Sequence, residues 1–312
     1  MRRLAFLLVS VAFLASPVLA QDPSVDYQMP PQVLADIIDA PPTPGVYLSP
    51  DKEWLVLLER PGNPPISEVA APELRLAGLR INPRANGPSR SRNLNGLVFQ
   101  NLEDGNEVRV TGLPDEPKIT GVSFSPDGEK LAFVVNVDDD LTLWYTELKD
   151  GKAKRVTKKG MRLNAVYGRP YSWRFDSKSF VARTVPADRG EAPAEPVAPS
   201  GPVIQENLGK KTPARTYQDL LQNTHDEALF EHYTTSQLVR LDLKGKAKEM
   251  GEPAIFRGVS TSPDGEYVLV QMVQRPFSYT LQEGDFPRRV EVWNMDGENV
   301  HLVADLPLQD QV

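Results

Sequence analysis

Five arginines crowd the stretch "ELRLAGLRINPRANGPSRSRN": Arg75, Arg80, Arg84, Arg90 and Arg92, with Glu73 the one acid beside them. The chain as a whole is acidic, with 35 Lys and Arg against 42 Asp and Glu and a formal charge of −7. A local cationic cluster in such a chain is able to steer an acidic ligand, while the overall balance carries no nucleic-acid footprint. The remaining reactive residues argue against catalysis within this chain. His225 and His232 stand seven positions apart and His301 is distant, so no His-Glu zinc spacing exists and all three read as surface histidines. The run "NVDDD", residues 136–140, lacks the ligand spacing and glycine of a calcium loop and reads as a solvated turn. Gly121-Val122-Ser123-Phe124-Ser125 and Gly258-Val259-Ser260-Thr261-Ser262 miss the final glycine of a nucleophile elbow, and both fall in strand-like runs. There is no cysteine, which removes thiolate nucleophiles, thiolate metal sites and disulfides. No catalytic residue, metal or cofactor is expected, and the arginine cluster is the candidate site.

The elements that must position it begin after residue 20. "MRRLAFLLVSVAFLASPVLA" has a basic start at Arg2 and Arg3, an apolar run from Leu4 to Leu14 and a small-residue cleavage site at Val18-Leu19-Ala20. It reads as a signal peptide, its apolar core well short of the ~20 residues that span a bilayer. The expected location is therefore exported, periplasmic or secreted, with no membrane association after cleavage. Export without disulfides requires a conventional apolar core.

One turn then punctuates the chain. Ser125-Pro126-Asp127-Gly128 returns as Ser262-Pro263-Asp264-Gly265, with a glycine-free version at Ser49-Pro50-Asp51-Lys52 and a degenerate one around Asp176. Each suits a type I turn, its aspartate bonding local backbone. Runs such as "KLAFVV" and "YVLVQM" follow, apolar on both strand faces, so both faces are expected to be covered. Glycine hairpins come next, at Asp104-Gly105, Asp150-Gly151, Lys244-Gly245 and Asp296-Gly297. The repeating unit is four strands, and four-stranded units repeated radially make an all-β propeller. About four blades are expected, over residues 41–112, 119–158, 165–251 and 255–305, after an N-terminal segment 21–40. A β-sandwich explains the strand count but not one turn recurring in every unit.

Two insertions break the rhythm, at about 61–95 and 185–235. The first is the arginine stretch. The second opens on the proline-rich "VPADRGEAPAEPVAPSGPV", an extended linker, and continues as "RTYQDLLQNTHDEALFEHYTTSQ". There Thr216 with Asp219, and Thr224 with Glu227, read as capping boxes. Leu220, Leu221, Leu229, Phe230 and Tyr233 supply apolar anchors, so two short helices are expected on the propeller rim.

These insertions, together with "RPFSYTLQEGDFPRRVEVWNMDGENVHLVADLPL", resemble the N-terminal half of the glutamyl endopeptidases, within the prolyl oligopeptidase superfamily of serine peptidases. The resemblance implies a propeller that gates and orients peptide substrates for a C-terminal α/β-hydrolase domain bearing a Ser-Asp-His triad. None of the triad motifs has a counterpart in this chain, which by itself is expected to be inactive and to be an incomplete propeller. A stand-alone scaffold resembling TolB-type propellers, binding proteins without catalysis, is the competing expectation.

Overall fold

In the computed structural model, residues 28–198, 201 and 217–310 are described. The expected leader peptide, Thr216 and part of the proline-rich linker lie outside them. A short helix, α1 (Gln32–Ile38), belongs to a segment ending at Ala40, and a second unit begins at Pro41.

This second unit is an incomplete β-propeller. Blade I opens with β1 (Gly45–Leu48) and β2 (Trp54–Glu59). The first insertion follows as α2 (Ile66–Val69) and the small sheet β3 (Leu74–Leu76), β4 (Leu79–Asn82) and β5 (Gly87–Pro88). Blade I closes with β6 (Gly96–Asn101) and β7 (Glu107–Arg109), giving the order β1-β2-β6-β7. Blade II is β8 (Lys118–Phe124), β9 (Lys130–Val137), β10 (Asp140–Glu147) and β11 (Lys154–Arg155), paired in sequence. Blade III has β12 (Tyr171–Trp173), β13 (Ser179–Thr184), then α3 (Thr224–Thr234) of the second insertion, and β14 (Ser236–Asp242). Its outer edge is the first part of β15 (Ala247–Thr261), whose second part pairs with β16 (Tyr267–Val273) as the inner strand of blade IV. β17 (Arg288–Asn294) and β18 (Asn299–Leu306) complete that blade. Blades III and IV are thus one seven-stranded sheet. The sequence suggests two separate units here; the crossing from the outer edge to the axis is short enough to remain extended throughout.

Side-chain alternation explains how the blades stack. On β9, Leu131, Phe133 and Val135 pack with Val56 and Phe99 of blade I. The intervening Ala132 and Val134 join Phe180 and Ala182 of blade III. Val181, between those two, faces Val268 and Val270 of blade IV. A central blade is therefore dry on both faces, and each fully buried Val, Leu or Phe contributes about 1.5–3 kcal/mol. The end blades differ. In β16, expected to be covered on both faces, Val268, Val270 and Met272 are buried while Tyr267 and Leu269 are 38% and 37% exposed. Leu269 pairs with Val292, and Val300 and Leu302 of β18 are also exposed. One neighbouring blade covers one face only.

The repeated turns meet one another. In each full copy the serine hydroxyl donates to the aspartate of the same turn. That aspartate accepts a backbone N–H two residues on, from Glu53, Glu129 or Glu266, at 3.0–3.1 Å. The fourth position is left-handed in all four turns, with φ of 64° at Lys52, 77° at Gly128, 51° at Ser177 and 74° at Gly265. Consecutive turns touch. A Cβ on Gly128 would stand 3.1 Å from the Asp51 carboxylate, Ser177 Oγ accepts from Asp127 N at 3.0 Å, and Arg174 Nη2 donates to Gly265 O at 2.9 Å. Turn chemistry and blade spacing are one device.

The insertions leave their blades to share a core. Leu76, Ala77 and Ile81 of the first insertion pack with Leu221, Phe230 and Tyr233 of the second and with Ile255, Phe277 and Phe286 of blade IV. Phe230 meets Phe277 and Phe286 edge-on, at 5.0 and 5.7 Å between ring centres. Blade I thereby reaches blade IV through its insertion. The second insertion holds one helix among its described residues, not two. Asn223, rather than Thr224, caps α3 by accepting from Asp226 N at 2.9 Å. Asp219 is left-handed (φ 60°) and bonds arginines of the other insertion, so it does not cap a helix.

Candidate functional site

The arginine insertion is built on the Ala77-Gly78 hairpin between β3 and β4, both residues at positive φ (52° and 85°). Gly78 is required there: a Cβ would fall 2.8 Å from the Gln282 side chain, and left-handed φ favours glycine. The chain then turns back at Asn86, a fully buried residue also at positive φ (54°). Its Nδ2 donates to Tyr233 O at 3.1 Å, its Oδ1 accepts from Arg189 Nη1, and its carbonyl accepts from Ala165 N at 3.0 Å. The loop is therefore fixed to α3, to the second insertion and to the connection leading into blade III.

Three of the five arginines are paired. Arg75 Nε donates to Glu73 at 3.0 Å, and Arg90 Nε lies 3.2 Å from the other Glu73 oxygen. Arg80 Nε donates to Asp219 Oδ2 at 2.9 Å, with Arg75 also 3.9 Å from that carboxylate. The Ser89 hydroxyl, 2.6 Å from Glu73, holds the Glu73 carboxyl below its ordinary range against an opposing effect of burial, and Arg75 and Arg90 add to the lowering. Asp219 comes from 139 positions downstream of Arg80, which sequence counting across the cluster misses. Arg84 and Arg92 make no carboxylate pair among the described residues. The Arg84 carbonyl accepts from Arg162 Nη2 at 2.5 Å.

Between this insertion and the inner strand of blade II lies a cavity of about 450 Å3. Its wall carries Arg84, Arg90, Lys118 and Arg169 against Glu68, Glu73 and Asp139. Lys118 and Glu68 bridge at 2.9 Å, so the lining is mixed in charge rather than uniformly cationic. Its volume is in the range of small-ligand and peptide-segment sites. Arg75, Arg80 and Arg92 are exposed and lie outside this lining.

The other reactive candidates are dispersed. His225 and His232 are half-buried on α3, and His301 is exposed on β18. Burial, and then Arg189, lower the His232 pKa. Asp138 and Asp139 form the tight hairpin between β9 and β10, both at positive φ (51° and 67°). The two Gly-Val-Ser copies sit in inner strands where the register slips, between Thr120 and Ser123 and between Phe256 and Gly258. These are β-bulges, which bend the strand and increase its twist locally; a glycine inside a strand run is the sequence signal for them. Among the described residues no group of three metal-ligating side chains converges, and no helix is long and apolar enough to cross a membrane.

No protein-family model matches the chain. Two curated proteins are similar at 38% identity, each named "Probable glutamyl endopeptidase, chloroplastic", from Oryza sativa subsp. japonica and Arabidopsis thaliana. The matches cover 92% of this chain, which spans about a third of those relatives (32% and 31%). Among solved structures, similarity extends to an acylaminoacyl peptidase bound to a chloromethyl ketone (TM-score 0.42, 15% identity, 85% of this chain and 33% of that one). It extends also to the β-propeller domain of the trilobed protease from Pyrococcus furiosus (0.43, 12%, 85% and 59%) and a putative TolB from Agrobacterium tumefaciens (0.38, 13%, 85% and 82%). The chain is thus similar to proteins named as glutamyl endopeptidases over about a third of their length, and is folded as an incomplete β-propeller.

Proposed function

We propose that this chain is the non-catalytic propeller of an exported serine peptidase, gating and orienting peptide substrates for an α/β-hydrolase domain encoded outside this sequence. The observation that carries the reading is the 38% identity, sustained over 92% of the chain and thus across both insertions. Peptides are the substrates and the hydrolase domain is the partner. The propeller narrows access, so extended chains reach the nucleophile and folded ones do not. The cationic insertion, Arg75, Arg80, Arg84, Arg90 and Arg92, steers acidic peptides, its uncompensated charge residing on Arg84 at the cavity wall and Arg92 at the exterior, since the other three are paired. Field steering acts through unpaired charge and is screened by salt.

The coding sequence past codon 312 tests the reading. A continuing frame with Gly-x-Ser-x-Gly followed by Asp and His supports it; a stop codon directly after Val312 contradicts it. In the intact enzyme, R84E with R92E is expected to lower kcat/KM for a Glu-containing peptide several-fold at low salt and by less at high salt. Unchanged efficiency and an unchanged salt slope would remove the steering role.

A further inference from the structure

A second, smaller pocket of about 180 Å3 opens between the inner strands of blades III and IV. Its lining includes Arg169, Arg183 and Arg257, with Tyr167, Tyr171 and Ser172, and contains no Asp or Glu. Arg183 is the unusual member. It is 5% exposed and donates to four carbonyls, those of Phe256, Tyr167, Gly168 and Arg169, at 2.8–3.3 Å. No carboxylate pairs with it among the described residues, although buried guanidinium groups ordinarily have one. Burial lowers its pKa to about 10, so it stays charged at neutral pH. Arg169 lies over the Tyr171 ring at 5.7 Å and has no carboxylate partner among the described residues either. Arg257 is held at Nε by Glu283, 3.1 Å away. The Tyr167 hydroxyl is enclosed beside Glu283 without a well-formed hydrogen bond. Three guanidinium groups thus face a small polar space with one nearby acid to balance them.

Such a space is below the size of a whole-ligand site, so it accepts a functional group carried on a longer molecule. Guanidinium forks match a planar carboxylate, bonding both oxygens. We propose that this pocket, between the inner strands of blades III and IV, is a carboxylate-binding site engaging a carboxylate carried by an extended peptide. Arg169 and Arg257 contact the carboxylate, and Arg183 supplies a fixed charge from behind. The choice of peptide rests on the peptidase reading above, whereas the carboxylate chemistry rests on the pocket alone. It differs from the insertion arginines, which act at a distance: this site selects by contact.

The test is fluorescence anisotropy on the full chain with labelled hexapeptides of Ala and Ser, blocked at both ends, carrying one central Glu or one central Gln. A third peptide carries Gln and a free C-terminus, to separate a side-chain carboxylate from a terminal one. One of the two carboxylate peptides is expected to bind at least ten-fold more tightly than the blocked Gln peptide. R169Q should remove most of that preference with the melting temperature unchanged, R169K should restore part of it, and the remote R155Q should leave it intact. Equal binding of all three peptides would overturn the proposal. So would a preference that survives R169Q or falls equally in R155Q. A pocket that prefers carboxylate in a chain closed by a stop codon would retain this inference and sink the peptidase reading; a continuing frame with no preference would do the reverse.

Discussion

At the scale of single residues, the turns explain most of what repeats. The Ser-Pro-Asp sequence builds an internal hydrogen-bond set, and its fourth residue must be left-handed, which costs about 1–2 kcal/mol for a residue with a Cβ. Lys52 bears that cost at φ 64° on an exposed site. K52G is therefore expected to raise the melting temperature of the chain by a few degrees, and G128A to lower it by more, because its Cβ also crowds Asp51. Calorimetry of both variants checks the pair. The same aspartates give a pH dependence. Burial opposes ionisation of Asp127, but the Ser125 hydroxyl, the Glu129 N–H and Lys130 outweigh it and leave the pKa lowered. Asp176 is lowered in the same way, with Ser179 and the Lys178 N–H as principal donors. A carboxylate with a lowered folded pKa contributes stability that is present above its unfolded value of about 3.9 and is lost as pH falls through the folded value. The aspartate contribution should thus be constant from pH 7 to 5 and be lost below about 4, with D127N losing least in that acid range because its contribution is already gone. His232, whose pKa is lowered by burial and Arg189, adds a separate loss of stability as pH falls below its unfolded value of about 6.5. The turns were legible in the sequence because their chemistry is local; the pairing of Asp219 with Arg80 was not, because nothing local links positions 139 apart.

At the scale of elements, the strands and hairpins were legible and the insertions only partly so. Glycine hairpins and apolar runs fix strands by short-range rules, and all four hairpins stand where those dipeptides stand. The capping-box reading of the second insertion fails for a physical reason. Asp219 gains more from two arginines than from a helix start, and Asn223 is a better cap than Thr224 because it is extended (φ −160°) one residue earlier. What holds the insertions is a shared core, not their own secondary structure. Asn86 is its polar pin. N86A would remove the hydrogen bonds to Tyr233 O and from Arg189 and place an alanine at positive φ, a loss of about 2–4 kcal/mol from two buried-site hydrogen bonds plus backbone strain. The prediction is a lower urea midpoint together with faster proteolysis in residues 61–95, while blade II stays protected in hydrogen exchange. Equal loss of protection in both regions would mean that the insertion and the propeller unfold as one.

At the scale of the whole molecule, four blades stack through three buried interfaces, and the two end blades each keep one face in solvent. Val46 and Leu48 on blade I, and Leu269, Val300 and Leu302 on blade IV, lie on strands of these end blades, and exposed apolar patches of this kind commonly mark contact sites. The apolar runs in the sequence signalled burial correctly for β9 and β13 but could not tell a central blade from a terminal one, since that depends on what lies next to it in space. The central claim, which rests on the function proposed above, is that the exposed faces of the two end blades are contact surfaces. Sedimentation velocity of residues 21–312 across a concentration series tests it most directly, alongside L269K with L302K. The account predicts concentration-dependent association of the unmodified chain, reduced in the double variant. A single sharp monomer boundary at every concentration, with a cooperative melt, would contradict it.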